Sequence, residues 1–97
     1  MSLGAAPAQA YDDSSFCSRI VGTCWSGVVS SNASGNWIKI QGDSPTAAYV
    51  KLYDYNNGNL VGELVATGGY NETTIYGLYG RYRVRVDGNW GWYATGG

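Results

Sequence analysis

Arg81-Tyr82-Arg83-Val84-Arg85-Val86 alternates a cation with an apolar or aromatic residue without a break. That is the period-two pattern of a strand with one dry face and one wet face. Tyr82, Val84 and Val86 are expected to face a core, and Arg81, Arg83 and Arg85 to face water. Asp87-Gly88, a hairpin-turn dipeptide, comes next, followed by Asn89-Trp90-Gly91-Trp92-Tyr93. A two-residue turn there pairs Arg85 with Trp90, Val84 with Gly91, Arg83 with Trp92 and Tyr82 with Tyr93. Two arginines then lie against two indoles on the wet face. Each exposed cation–π pair of that kind contributes about 0.5–1 kcal/mol. Tyr93 is expected in the core beside Tyr82.

The totals agree with a strand-rich chain. Among 97 residues there are 15 glycines, 9 tyrosines and 4 tryptophans, and only 13% of residues are charged. Glycine with aromatics favours short strands and tight turns, and no window carries sustained helical spacing of apolar residues. The length is that of one domain. A net charge of −1 argues against nucleic acid as a partner. No run of about 18 apolar residues predicts a membrane-spanning helix.

Seven short segments separated by turn clusters follow from this punctuation. They are 25–30, 36–41, 48–55, 60–66, 71–76, 81–86 and 90–94. Gly42-Asp43-Ser44-Pro45 is expected to turn between the second and third, and Gly68-Gly69 between the fourth and fifth. In the third segment Ala48, Val50 and Leu52 point one way; Tyr49, Lys51, Tyr53 and Tyr55 point the other. Parity then chooses the loop to the fourth segment. A two-residue Asn57-Gly58 turn sets Leu52 against Glu63 and buries a carboxylate. A three-residue loop, Asn57 to Asn59, sets Leu52 against Leu64 and is preferred, because an unpaired buried charge costs several kcal/mol.

Cys17 and Cys24 have no histidine or further cysteine with which to form a zinc site, so a disulfide is expected and a metal is not. Closing that ring contributes about 2–3 kcal/mol on the chain-entropy model. A structural disulfide implies an oxidising compartment, hence secretion. Ala8-Gln9-Ala10 has the small-x-small form of a signal-peptidase site, while the same Ala/Pro-rich stretch also reads as a plain disordered arm. Either way residues 1–15 are expected to carry no fold, and residues 16–97 to form one domain with a disulfide-closed loop at 17–24.

The runs Val50-Lys51-Leu52-Tyr53-Asp54, Gly58-Asn59-Leu60-Val61-Gly62 and Ile75-Tyr76-Gly77-Leu78-Tyr79-Gly80-Arg81-Tyr82-Arg83-Val84 resemble the secreted prealbumin-like and Cna-B-like modules. Fibronectin type III domains show a similar Gly-Leu…Gly…Tyr-x-Val-x-Val passage. The resemblance covers residues 48–87 and implies an all-β, Ig-like or prealbumin-like antiparallel β-sandwich. Tyr53-Asp54 with Asn71-Glu72-Thr73-Thr74 leaves a βγ-crystallin-like reading open, and a small closed barrel is the further alternative. In such a sandwich the third and sixth segments are neighbours, flanked by the fourth and seventh, with the first, second and fifth in the other sheet.

The outer face of the 4-3-6-7 sheet then gathers Tyr49, Lys51, Tyr53, Tyr55, Arg81, Arg83, Arg85, Trp90 and Trp92. Rings stack on sugars, and cations pair with carboxylates or sulfates, so polysaccharide is the expected ligand and an extracellular protein the next. The plainer possibility is that these pairs only shield a sheet face. A second candidate is Arg19 in the 17–24 ring, which resembles the exposed reactive loop of standard-mechanism serine-protease inhibitors. That resemblance implies a small secreted hydrolase inhibitor, of a protease through Arg19 or of a glycosidase through exposed rings; the plainer possibility is a staple. A structural cell-surface role is the third. Enzymatic machinery is sparse: there is no histidine, and Asp54 and Glu63 fall on opposite faces, so neither catalysis nor a cofactor is expected. Asp54-x-Asn56-Asn57-Gly58-Asn59 has a faint calcium-loop look that hairpin turns share. Asn32-Ala33-Ser34 and Asn71-Glu72-Thr73 fit the N-glycosylation pattern.

Overall fold

The wet-and-dry alternation of residues 81–86 holds in the computed structural model, which describes residues 11–18, 22–88 and 91–97. Tyr82, Val84 and Val86 are buried, while Arg81, Arg83 and Arg85 lie on the outer face. Among the described residues there is no helix, and seven strands run antiparallel to their neighbours. They are β1 (Ser14–Ser18), β2 (Gly22–Trp25), β3 (Val29–Ser30), β4 (Trp37–Asp54), β5 (Leu60–Tyr76), β6 (Arg81–Gly88) and β7 (Trp92–Gly96).

Four of the expected segments are two. Gly42-Asp43-Ser44-Pro45 does not turn; β4 runs straight through it, and β5 runs through Gly68-Gly69. The two strands form one long hairpin, broken by a bulge between the Ser44–Gly69 and Ala47–Thr67 pairs. Pro45 and Thr46 oppose Gly68 there, so the proline sits where a strand can spare a ladder hydrogen bond. Gly68 and Gly69 have φ of +66° and +121°, a backbone region that glycine enters freely.

The bulge bends the hairpin and lets each strand serve two sheets. Before it, residues 37–43 of β4 pair with β5 on one side, residues 39–43 pair with β7 on the other, and β1 flanks β7. After it, residues 48–54 pair with β5 and β6, with β2 and β3 beyond β6. The result is a seven-stranded sheet folded on itself into a nearly closed, barrel-like sandwich. Between the layers lie Ile38, Ile40, Tyr93 and Cys17 from one half, and Val29, Ala48, Val50, Leu52, Tyr82, Val84 and Val86 from the other.

The first and last segments exchange places relative to expectation. Asp87-Gly88 is not a hairpin turn: both residues continue β6, Asp87 opposite Thr23 and Tyr49. β7 crosses to the other sheet, where Trp92 lies opposite Asp43 rather than Arg83. β6 is therefore flanked by β2 and β3 instead of β7. The loop after β4 is also longer than three residues. Leu52 pairs with Gly62, Val50 with Leu64 and Lys51 with Glu63, so the parity that keeps Glu63 outside is right and the loop length is not.

The fold begins before residue 16. Gly97 N–H donates to the Asp13 carbonyl (2.9 Å), Asp13 Oδ2 accepts from Ser30 N–H (3.0 Å) and Asp12 Oδ2 accepts from Ala33 N–H (2.8 Å). Ser14 and Ser15 open β1. Residues 1–10 and the cleavage-site reading lie outside the described residues. The expected disulfide is present, Cys17 on β1 to Cys24 on β2 (Cα–Cα 6.3 Å). Those strands are the two ends of the order β1-β7-β4-β6-β2. The covalent bond, with Ser15 Oγ accepting from Gly27 N–H (2.9 Å), closes the side that no backbone ladder closes.

Candidate functional site: a ring-and-arginine face

The outer face of the sheet around β6 is set by three facing strands. β6 presents Arg81, Arg83 and Arg85; β4 presents Lys51 opposite Arg85 and Tyr53 opposite Arg83; β2 presents Trp25 opposite Arg85 on the other side. Tyr55 follows β4 in the turn, its N–H donating to the Arg81 carbonyl (2.8 Å). Arg83 lies over the Trp25 indole, with Cζ 4.2 Å from the ring centroid, and Arg81 lies over Tyr55 at 5.3 Å. Trp25 and Tyr53 meet at 5.6 Å between centroids. Trp25, Tyr53, Asp54, Tyr55, Gly58, Arg83 and Arg85 line a cleft of about 240 Å³.

Of the nine residues the sequence assigns to this face, seven are together on it: Tyr49, Lys51, Tyr53, Tyr55, Arg81, Arg83 and Arg85. Trp92 is on the opposite sheet, and Trp90 lies outside the described residues, as does Arg19 in the disulfide-closed loop. The indole that stacks on Arg83 belongs to Trp25. Parity within the expected segment 25–30 hides it, because Trp25 and Val29 are four apart and ought to share a side. A bulge separates them: Trp25 opposes Arg85 but Val29 opposes Tyr82, so three residues face two. Ser26 fills that gap, its N–H donating to the Val84 carbonyl (2.9 Å) and its Oγ accepting from Val84 N–H (3.0 Å). The Cys24 neighbour, stapled to β1, was the one sequence signal that Trp25 had a fixed place.

The charges on this face are unequal in their partners. Arg85 Nε pairs with Asp87 (3.2 Å), whose other oxygen accepts from Thr23 Oγ1 (2.6 Å). Among the described residues Arg81 and Arg83 meet rings and no carboxylate. A guanidinium that meets a ring rather than a carboxylate keeps its N–H fork available to a carboxylate or sulfate.

No protein-family model matches this chain, and no curated protein matches it. The site therefore stands on its own geometry.

The minor motifs are absorbed by structure. Asp54 Oδ1 accepts from Asn56 N–H and Asn57 Oδ1 from Asn59 N–H (both 2.8 Å), so the calcium-like string shapes a turn. Asn32 is buried and its Oδ1 accepts from Ser34 N–H, Ser34 Oγ and Gly35 N–H. Asn71 Nδ2 donates to the Thr67 and Gly69 carbonyls. Both asparagine amides of the glycosylation-like motifs are thus engaged in the fold. Among the described residues no three of His, Cys, Asp and Glu gather as metal ligands would.

Proposed function

We propose that the chain is a secreted, non-catalytic binding module whose ring-and-arginine face takes a polysaccharide bearing carboxylate or sulfate groups. The observation that carries this reading is the pair Arg81 and Arg83, set over Tyr55 and Trp25 with no acidic partner among the described residues. The ring contacts restrain both arginine side chains before a ligand arrives, which lowers the ordering cost of binding. Trp25 and Tyr55, 43% and 47% exposed, offer ring surface against which sugar C–H faces pack. The cleft between them fits the scale of one sugar and its acidic substituent better than that of a protein segment. The disulfide fits an oxidising compartment, which supports secretion.

The test is calorimetric titration with polygalacturonate, a sulfated glycosaminoglycan and a neutral glucan. Binding is expected to the two anionic chains, to weaken with salt, and to fall at least tenfold in the Arg81→Gln, Arg83→Gln double variant. Equal affinity in that variant, or no binding to either anionic chain, overturns the reading.

A further inference from the structure

The opposite sheet carries a second cluster of rings, and its chemistry differs. There β4 presents Gln41 and Lys39, β5 presents Tyr70 and Glu72, and β7 presents Trp92 and Ala94 on one outer face. Trp92 and Tyr70 pack at 5.9 Å between centroids, tilted by 39°. Phe16 stands beside them on β1 with 69% of its surface exposed, and Trp92 with 41%. Tyr11 packs edge-on against Trp37 (6.0 Å) at the far end of the face. Tyr11, Phe16, Gln41, Trp92 and Ala94 are among the residues that line a cleft of about 590 Å³, the size range of small-ligand sites.

The polar groups around these rings are already joined in one network. Gln41 Nε2 donates to Tyr70 Oη (2.8 Å), Tyr70 Oη donates to Glu72 Oε1 (2.7 Å), and Lys39 Nζ pairs with Glu72 Oε2 (3.1 Å). Lys39 and Glu72 cancel within the network, and Asp43, opposite both Tyr70 and Trp92 on the same outer face, adds a negative charge, so this face disfavours an anionic ligand, unlike the arginine face. Gln41 lines the cleft, so its amide is placed to meet a ligand there. The Trp92 ring with the Gln41 amide beside it suits a pyranose: its C–H face stacks on the indole, and its hydroxyls bond the amide.

We infer that this cleft is a second ligand site, for an uncharged oligosaccharide, with Trp92 as the stacking platform and Gln41 as the hydroxyl-reading group. It does not rest on the arginine-face reading. The two faces point away from a common core, so a chain with both sites occupied joins two glycans.

The experiment is an NMR titration of the intact, disulfide-bonded chain with cello-, xylo-, manno-, malto- and chitohexaose, followed with tryptophan fluorescence. At least one is expected to shift the Trp92 indole, Gln41 amide and Phe16 ring together. Trp92→Ala is expected to weaken that binding tenfold or more, and Gln41→Ala, at a partly exposed polar position, to weaken it three- to tenfold with the fold unchanged. Arg81→Gln with Arg83→Gln is expected to leave it intact, so failure here and failure at the arginine face read separately. No shift with any of the five sugars, or Gln41→Ala and Trp92→Ala both binding as the parent does, overturns the inference.

Discussion

At the scale of single residues, Glu72 and Tyr70 show how a surface network sets its own chemistry. The Tyr70 hydroxyl and then the Lys39 ammonium hold the Glu72 carboxyl below its ordinary range. Burial, reinforced by that same hydrogen bond and the nearby negative charge, pushes Tyr70 up to about 12. Glu72's contribution to stability is therefore complete above the ordinary glutamate pKa of about 4.3 and is lost as pH falls through its lower folded value. Tyr70's contribution is complete below about 10 and is lost as pH rises toward 12. Tyr70→Phe is expected to return the Glu72 pKa upward, read from its side-chain carboxyl resonance against pH; an unmoved midpoint would show that Lys39 alone sets it. Thr95 offers a second residue-scale prediction. Its hydroxyl is buried without a hydrogen-bond partner among the described residues. Thr95→Val removes that unsatisfied group at nearly constant shape, and is expected to raise unfolding stability by about 1 kcal/mol, measured in denaturant.

At the scale of strands, Gly42 has a place that only a missing side chain fits. A Cβ there would come within 2.9 Å of both Ala66 Cβ and Tyr93 Cδ1, which are buried core atoms with no room to give. Gly42→Ala is expected to cost about 1–3 kcal/mol through overpacking, and an unchanged melting temperature would contradict the packing described. The same strand explains what the sequence made legible and what it concealed. Alternation in 81–86 and 48–55 identified the facing strands and sorted seven face residues correctly, because period two is a local property. Glycine and proline at 42–45 and glycines at 68–69 read as turns, because the residues that allow a turn also allow a bulge. Asp87-Gly88 misled for a related reason. A turn dipeptide can be held extended by partners on both sides, here Tyr49 and Thr23, and such partners are distant in sequence. The extra residue at Ser26–Val28 puts Trp25 and Val29 on opposite sides, because a bulge flips every inference from parity across it.

At the scale of the molecule, the barrel-like sandwich is closed by the Cys17–Cys24 bond and the short contacts around Asp12, Asp13 and Ser15, since no ladder joins β1 to β2. Reduction, or Cys17→Ser with Cys24→Ser, is expected to cost about 2–3 kcal/mol on the chain-entropy model. The loss is expected to appear first as faster amide exchange in β1 and β2, with β4 and β6 protected longest. Exchange that rises uniformly would mean that the bond acts on the unfolded chain alone. Removing a single ring–arginine pair, as in Arg83→Ala, is expected to cost only about 0.5–1 kcal/mol, so variants of that face remain folded and report on binding. The closure also holds Trp25, next to Cys24, against β6, and so connects the covalent staple to the proposed recognition surface.

The most direct test of that surface is to follow the Arg83 Nε–H and Trp25 indole N–H signals while a short oligogalacturonate is added. Concerted shifts at Arg81, Arg83, Trp25, Tyr53 and Tyr55, with Trp92 unmoved, are the predicted result. Shifts confined to Trp92, or a spectrum unchanged at saturating ligand, would contradict it.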